Sequence, residues 1–329
     1  IKKSEIHHPK VTNGSIRNLD YKQKHISSIL NLIDVEVEKI QARKFKIVVD
    51  GINSSGGVYV PFLLKKLGVE VIELNCIPDG HFMHNPEPIP ENLKDLCDKV
   101  KEHKADLGIA VDPDVDRLVL VCEDGSFFGE EYTIVAVSKY ILSKYSASTI
   151  VSNLSTTKAL EDVANSLGAK HFFSSVGEIN VIELMKKKKA VIGGEGSGGV
   201  IFPDSHYGRD ALVGIALFLT YLSEIDISIK ELRLSLPNYF MLKDKLFISD
   251  ESKFDFESFI IDQIEICKKN KQKSSLIDGI KIYYSCGGWA HIRKSNTEPI
   301  IRLITESKDK NRVQELKDNL INDIKNYLK

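Results

Sequence analysis

The first third of the chain alternates between helix-like and strand-like hydrophobic patterns. Residues 22–41 carry apolar side chains at helical spacing, which predicts an amphipathic helix with Ile26, Ile29, Leu30 and Ile33 on one face. The segments that follow predict strand, helix, strand, helix and strand in turn, over residues 44–51, 56–68, 69–75, 91–104 and 105–111. This order favours a parallel sheet covered by helices.

A second alternation of the same kind follows. It predicts helices over residues 133–144, 156–168, 178–189 and 209–224, and strands over residues 149–154, 170–175 and 190–194. The pattern then changes to strands near residues 239–247, 277–285, 288–293 and 299–306, with helices over residues 251–269 and 309–328. The predicted fold class is α/β, with two consecutive α/β domains that have mixed or parallel sheets and a C-terminal α+β domain.

The length agrees with several domains, because 329 residues exceed what one compact core usually holds. We expect an α/β domain over residues 21–125, a second over residues 126–236 and the α+β domain over residues 237–329. The linker before the last domain is expected within residues 225–238, a stretch that contains a Leu-Pro pair.

Composition narrows the class of protein. Hydrophobic residues make up 42% of the chain and charged residues 28%, while the net charge is −1, so no global charge favours nucleic acid or a membrane surface as a partner. No apolar run approaches the roughly 20 residues of a bilayer span, and the first residues resemble no secretory signal. Five scattered cysteines without a CxxC pair are typical of a reducing, cytoplasmic protein.

An acidic loop (residues 112–117, DPDVDR) directly follows a predicted strand. In extended backbone Asp112, Asp114 and Asp116 point to one side, where three carboxylates repel each other unless a cation such as Mg²⁺ lies between them. An EF-hand has similar spacing but needs Gly where Arg117 stands. Two alternatives stay open: Asp112 as the nucleophile of a phosphatase, or a solvated acidic turn.

Two further loops have polar side chains suited to a sugar phosphate. In the glycine-rich loop (residues 193–199, GGEGSGG), glycines allow close approach while Glu195 and Ser197 can bind hydroxyl groups. The arginine loop (residues 293–298, RKSNTE) combines a guanidinium with hydroxyls and an amide, which suits a phosphate. Taken singly, each could equally be a structural turn.

The three loops, in this order and spacing, resemble the α-D-phosphohexomutase family, which includes phosphoglucomutases, phosphomannomutases and phosphoglucosamine mutases. The resemblance covers about residues 20–329 and the second, third and fourth of the four family domains. It implies that Asp112, Asp114 and Asp116 bind Mg²⁺ and that Arg117 is a catalytic residue beside the transferred phosphoryl group. Two more segments, SSVGEINVI and YGRDA, also resemble family segments. The implied substrate-binding residues are Gly177, Glu178, Glu195, Ser197, Arg209, Asp210, Arg293, Ser295, Asn296 and Thr297.

The chain departs from the family pattern at the nucleophile. Family members carry a phosphoserine in a Ser-His-Asn-Pro type loop of their first domain, whereas the nearest string here begins with Met83. The resemblance therefore implies that the phosphoserine domain is missing, that residues 1–20 are its remnant, and that this fragment is inactive alone. Gly199 is a smaller departure, since several family members have His there.

The implied function is a phosphohexomutase, an isomerase that interconverts hexose 6-phosphate and hexose 1-phosphate through a bisphosphorylated sugar. The loops look most like those of glucosamine-phosphate enzymes, and phosphomannomutase and phosphoglucomutase are the alternatives. A sugar phosphatase with an aspartate nucleophile and a non-catalytic sugar-phosphate binder are further alternatives. The partners expected are the hexose phosphate and the hexose bisphosphate, with the protein a monomer or homodimer.

Overall fold

A computed structural model of the protein describes residues 15–248, 255–285, 287–295 and 298–327. Asn296 and Thr297 of the arginine loop lie outside the described residues, as do residues 1–14 of the predicted remnant. The predictions on these residues are not addressed by the structure.

The first α/β unit has a four-stranded sheet covered by helices. Its strands are β1 (Lys46–Asp50), β2 (Glu70–Leu74), β3 (Leu107–Val111) and β4 (Leu118–Cys122), and its helices are α1 (Lys22–Leu30), α2 (Val37–Arg43), α3 (Gly56–Lys66) and α4 (Lys94–His103). The strand order is β2-β1-β3-β4, with β1 parallel to β2 and β3 and β4 antiparallel to β3. Every residue of β3 and β4 is buried, because both faces of this part of the sheet are covered.

The single helix predicted over residues 22–41 is wrong, because α1 and α2 are separate. Ile33, predicted on the apolar face, lies in the break and is 82% exposed. The break is held by the second unit: Tyr140 donates its hydroxyl proton to the Asp34 carbonyl at 2.8 Å, and Tyr145 donates to the Asp34 carboxylate at 2.8 Å. Tertiary hydrogen bonds thus interrupt a segment whose local periodicity continues.

The second α/β unit repeats the same arrangement. Its strands are β5 (Thr149–Asn153), β6 (Lys170–Ser174), β7 (Ile192–Glu195) and β8 (Gly199–Ile201), and its helices are α5 (Glu130–Lys144), α6 (Lys158–Ser166), α7 (Glu178–Lys188), α8 (Ala211–Ile225) and α9 (Ile229–Ser235). The strand order β6-β5-β7-β8 again places an antiparallel strand beside three parallel ones. The predicted likeness of the two units is therefore found in the fold.

The predicted linker over residues 225–238 contains α9. Its N-terminus is a capping box, in which the Ser228 hydroxyl accepts from the Glu231 N–H at 3.2 Å and the Glu231 carboxylate accepts from the Ser228 N–H at 2.8 Å. Ile229 and Leu232 are buried against the core. Packing stabilises this seven-residue helix, which is too short for its periodicity to predict.

The third unit is an antiparallel sheet with two helices. Its strands are β9 (Phe240–Phe247), β10 (Lys273–Ser275), β11 (Ile280–Tyr283), β12 (Trp289–Lys294) and β13 (Ile300–Ser307), and its helices are α10 (Phe256–Lys269) and α11 (Lys310–Tyr327). The strand order is β10-β11-β12-β13-β9. The predicted α+β character is confirmed, with β10 as an additional edge strand.

The hydrophobic core is divided unevenly among the units. One continuous core spans the first two units, and it includes most of α8, which is buried along nearly its whole length. The third unit has a core of its own. It docks on the second unit through buried polar contacts: the Lys281 ammonium donates to the Leu154 carbonyl at 2.7 Å, and the Glu306 carboxylate accepts from the Lys158 N–H at 2.8 Å.

Within the described part of the chain, no single helix is both long and apolar enough to cross a bilayer. The pair α8 and α9 reaches that length and composition only when taken together, and the two helices meet at 88°.

Candidate active site

A cavity of about 850 Å³ lies where the three units meet. Loops from all three units line it, at the carboxyl ends of parallel strands in the first two units and at the end of β12 in the third. The predicted site residues that line it are Asp112, Arg117, Gly177, Glu178, Glu195, Ser197, Arg209 and Arg293. The structure thus brings the acidic, glycine-rich and arginine loops to one cleft.

The acidic loop is a tight turn between β3 and β4, and not the extended segment expected from its alternating aspartates. Val115 has a φ of +62°, in the left-handed region that non-glycine residues seldom adopt. The hydroxyls of Ser54 and Ser55 donate to the Pro113 carbonyl at 2.8 and 2.6 Å, which fixes the turn against the loop after β1. The turn, and not strand geometry, gathers the three carboxylates.

One oxygen from each of Asp112, Asp114 and Asp116 lies within 4.8 Å of the others. Asp112 is buried, and its Oδ1 accepts the backbone N–H groups of Asp116 and Arg117 at 3.1 and 3.0 Å. Burial, together with the neighbouring Asp116 carboxyl, raises the pKa of Asp112 to about 7.

The Oδ1 atom of Asp116 is buried and accepts no hydrogen bond from the residues that the structure describes, while Arg117 Nε lies 3.7 Å from it, beyond hydrogen-bond distance. An unsatisfied carboxylate oxygen beside a second buried carboxyl is costly unless a cation binds there. Oxygen ligands of this kind suit a hard divalent ion. The acidic loop therefore fits a metal ion, as the sequence predicts.

The glycine-rich loop joins β7 to β8 as the acidic loop joins β3 to β4. Glu195 is buried in the cleft wall, where its Oε1 accepts from the Asn153 amide at 2.7 Å and from the Gly177 N–H at 3.2 Å. Gly196 has no room for a side chain, because a Cβ there would overlap the carboxylate of Glu131. The glycine at this position is required by the space that Glu131 occupies.

Backbone hydrogen bonds connect the acidic loop to the glycine-rich loop. Arg117 and Gly199 form an isolated antiparallel bridge, and the Leu118 N–H donates to the Gly198 carbonyl at 2.9 Å. A Cβ on Gly198, whose φ is +91°, would lie 2.5 Å from the Leu118 carbonyl oxygen. The first two sheets therefore meet at their antiparallel strands, directly beside the cleft.

The two residues of the YGRDA segment have different surroundings. Arg209 lines the cleft, where its Nη1 donates to Glu195 Oε2 at 2.7 Å. Asp210 caps α8, since its Oδ1 accepts the N–H of Leu212 at 2.8 Å and of Val213 at 3.2 Å. Its other oxygen binds His25 at 2.9 Å and His206 at 3.0 Å, away from the cavity wall. The predicted contact of Asp210 with substrate stays a prediction.

The third unit contributes basic side chains to the cleft. Arg293 lies at the end of β12 beside the cavity, and its Nε is buried without a hydrogen-bond partner in the described structure. Arg302 of β13 lines the same wall. Ser295 is buried directly after β12. The two arginines add positive charge to the same cavity that Asp112 of the acidic loop lines.

Several cleft residues were not predicted. Asn153 follows from a general rule, because it ends β5 and sites form at the carboxyl ends of parallel strands. Lys243 of β9 has no such signal: its ammonium binds Glu130 Oε1 at 2.5 Å and Glu131 Oε1 at 2.8 Å across the boundary between units. Lys243 reaches the cleft only because the third unit docks against the second.

The segment that includes Met83 also reaches the cleft. His84 Nε2 lies 3.0 Å from the Oδ2 of Asp50, a buried residue at the end of β1. The Asn75 amide donates to both oxygens of the same carboxylate at 3.1 and 3.2 Å. These contacts hold the segment in place, and Asn85 lines the cavity.

Most of the chain is similar to known proteins of one family. Family models described as phosphoglucomutase/phosphomannomutase alpha/beta/alpha domain II, alpha/beta/alpha domain III and C-terminal domain match residues 23–125, 129–240 and 251–322. A probable phosphoglucosamine mutase from Pyrococcus horikoshii is 32% identical over 316 residues, which cover 96% of this chain and 68% of that protein. The chain belongs to the phosphoglucomutase/phosphomannomutase family.

Further relatives and a solved structure support this family assignment. A phosphoglucomutase/phosphomannomutase from Thermococcus kodakarensis is 35% identical over 303 residues, which cover 92% of this chain. The chain spans 65% of the length of that relative. A solved structure of a family protein from Burkholderia thailandensis has a TM-score of 0.80 at 27% identity, covering 94% of this chain and 65% of that one. The family resemblance and the fold class inferred from the sequence are confirmed.

Proposed function

We propose that this chain forms the metal-binding, sugar-binding and phosphate-binding parts of a phosphohexomutase, which interconverts hexose 6-phosphate and hexose 1-phosphate through a bisphosphorylated sugar. The observation that supports this most directly is that Asp112, Glu195 and Arg293 all line the same cavity. The 329 residues contain no Ser-His-Asn-Pro string. We therefore place the phosphorylated serine outside them and expect these residues alone to bind sugar phosphates without interconverting them.

The acidic loop is the proposed magnesium site, with Asp112, Asp114 and Asp116 as ligands. Bound Mg²⁺ supplies positive charge that stabilises the oxygens of a phosphoryl group during transfer. Arg117 adds a fixed cation beside the loop, since its Nε lies 3.4 Å from Asp112 Oδ2 and its side chain is 34% exposed. The exposed part of its guanidinium can donate to the transferred phosphoryl group.

The glycine-rich loop is the proposed sugar contact. A carboxylate accepts about four hydrogen bonds. Glu195 accepts three, from Asn153, Gly177 and Arg209, so its Oε2 retains a position for a sugar hydroxyl. Ser197 lines the same cavity. A mutase must bind its substrate in two orientations, and this pair suits both because it contacts ring hydroxyls and neither phosphate.

The arginine loop is the proposed clamp for the phosphate that does not react. Arg293 supplies a partly buried guanidinium, and Ser295, Asn296 and Thr297 complete the set implied by the sequence. Holding the remote phosphate orients the sugar toward the acidic loop, so binding energy at one end assists transfer at the other.

Glucosamine phosphate is the proposed substrate. Glu178 lines the cavity with a half-exposed carboxylate, whose Oε1 accepts from the Arg209 N–H at 2.6 Å. Its Oε2 lies 4.0 Å from Arg209 Nε, which leaves it able to accept from the ammonium of an amino sugar. The probable phosphoglucosamine mutases among the relatives support this choice, and the phosphoglucomutase/phosphomannomutase relatives make glucose and mannose phosphates the alternatives.

Calorimetry with Mg²⁺ and glucosamine 6-phosphate, glucose 6-phosphate or mannose 6-phosphate tests the proposal. We expect the amino sugar to bind most tightly. Arg293→Gln should weaken all three by about tenfold or more, because it removes a charge-assisted contact. Arg43→Gln is the matched control, since Arg43 pairs with Asp226 away from the cleft.

Activity is tested by phosphorus NMR with a bisphosphate primer. The protein translated from the start codon of the gene should interconvert the two phosphates, and the 329 residues alone should not. Absence of binding by every hexose phosphate would refute the proposal. Release of inorganic phosphate by these residues, with a metal-fluoride adduct trapped on Asp112, would instead identify a phosphatase.

A further inference from the structure

Arg209 connects two loops that belong to different units. Its Nη1 donates to Glu195 Oε2 of the glycine-rich loop at 2.7 Å, and its Nη2 pairs with Asp116 Oδ2 of the acidic loop. The side chain is only 15% exposed. One guanidinium therefore binds a proposed sugar ligand and a proposed metal ligand at the same time.

The path of the Arg209 side chain depends on Gly199. A Cβ on Gly199 would overlap the Cδ atom of Arg209 and lie 3.2 Å from its Cγ. The φ of Gly199 is outside the left-handed region, so the backbone does not require glycine there. What glycine provides at this position is space for Arg209.

The backbone on either side of the Arg209 side chain is held firmly. The Arg209 N–H donates to Glu178 Oε1 at 2.6 Å, and the Ala211 N–H donates to the Val115 carbonyl of the acidic loop at 3.0 Å. The helix α8 begins at Ala211 with Asp210 as its cap. The guanidinium is thus directed between the two loops by contacts on both sides.

Asp116 can bind Arg209 and a cation together. Its Oδ2 is taken by Arg209, while its Oδ1 is buried, has no hydrogen-bond donor among the described residues and lies 3.7 Å from Arg117 Nε. A cation bound at Oδ1 would restrict the carboxylate without displacing the guanidinium. Because Arg209 binds both carboxylates, a fixed Asp116 would also fix the guanidinium and, through it, the Glu195 carboxylate.

We propose that Arg209 is a positioning residue that couples the metal-binding loop to the sugar-binding loop, so that occupancy of one raises the affinity of the other. This rests on the proposed function, because it takes Asp116 as a metal ligand and Glu195 as a sugar contact. The shared guanidinium is the physical link, and Gly199 is the position that permits it.

Calorimetry on these 329 residues tests the coupling. The dissociation constant of glucosamine 6-phosphate is measured with saturating Mg²⁺ and with EDTA, and we expect Mg²⁺ to tighten binding by about fivefold or more in the wild type. In Arg209→Gln the ratio should fall to about one, because no side chain then spans both carboxylates. Gly199→Ala should give the same ratio by displacing the arginine. Arg209→Lys should not restore it, because an ammonium lacks the fork of a guanidinium.

Controls separate this role from a merely structural one. Arg43→Gln, which removes a guanidinium outside the cleft, should keep the wild-type ratio. Reduced stability of Arg209→Gln would lower the amount of folded protein but not the ratio measured on it. Gly199→Ala keeps the charge and tests the idea independently if Arg209→Gln does not fold.

The outcomes distinguish two failures. If the wild type binds no hexose phosphate, the proposed function falls and the coupling with it. If the wild type binds the hexose phosphate but shows no effect of Mg²⁺, the coupling alone is refuted. It is also refuted if Arg209→Gln and Gly199→Ala both keep the wild-type ratio, because direct contact between metal and phosphate would then explain the effect.

Discussion

Cation binding by the acidic loop should depend on pH because of the environment of Asp112. Its pKa is raised to about 7 by burial and by the Asp116 carboxyl, while a metal ligand must be ionised. One proton and one Mg²⁺ ion then compete for the Asp112 carboxylate. The dissociation constant of Mg²⁺ should rise by about tenfold between pH 8 and pH 6, and by about tenfold for each further unit below that.

Calorimetry in two buffers of different ionisation enthalpy measures both the dissociation constant of Mg²⁺ and the number of protons released when Mg²⁺ binds. About one proton should leave per Mg²⁺ bound at pH 6, and few at pH 8. Asp112→Asn should abolish the proton release and weaken binding at every pH. Asp124→Asn is the matched control, because Lys230 and Ser126 hold the pKa of the exposed Asp124 below its usual range.

The same group should affect the stability of the metal-free chain. The pKa of Asp112 in the folded state lies above the ordinary value of 3.8. Between pH 3.8 and about 7 the folded state therefore binds more protons than the unfolded state. Stability from Asp112 is therefore present below pH 3.8 and lost as pH rises through about 7. A dissociation constant for Mg²⁺ that stays within about twofold from pH 6 to pH 8, with no proton release, would refute the reasoning.

Three further predictions concern unfolding, measured by urea and heat. Lys281→Met should lower the unfolding free energy by about 1–3 kcal/mol because it leaves the buried Leu154 carbonyl without the ammonium that donates to it; a loss below about 0.5 kcal/mol would contradict this. Ser228→Ala should cost about 1 kcal/mol by removing the cap of α9, and an unchanged urea midpoint would contradict that. Asp210 raises the pKa of His25, so the stability from His25 is present below its ordinary value of 6.5 and lost as pH rises through the raised one. His25→Gln should thus lower the melting temperature most near pH 5, and an equal deficit at pH 9 would contradict the ion pair.

Most elements of the fold were predictable because local periodicity records which face of a segment is buried. The alternation that predicts β1, α3, β2, α4 and β3 is found in the structure with ends shifted by a few residues. The antiparallel strands β4 and β8 were not predicted, since each follows its loop directly, and β8 has only three residues. Yet these two strands place the acidic and glycine-rich loops side by side.

In the candidate site, too, some features were predictable from the sequence and others were not. The residues Asp112, Glu195 and Arg293 were predicted from loops whose side chains suit a cation, a sugar and a phosphate, and the structure brings them to one cavity. The bridge made by Arg209 was not predicted, because its partners Asp116 and Glu195 lie far apart from each other along the chain.

The sequence by itself determined the order of most helices and strands, the chemistry of the three loops and the family to which they belong, because these depend on neighbouring residues. The tertiary structure alone decided that residues 22–41 form two helices, that α9 occupies the predicted linker, and that Lys243 and Arg209 join units across the cleft. Each of these depends on contacts between residues more than 90 positions apart, such as Tyr140 with Asp34, which no local pattern records.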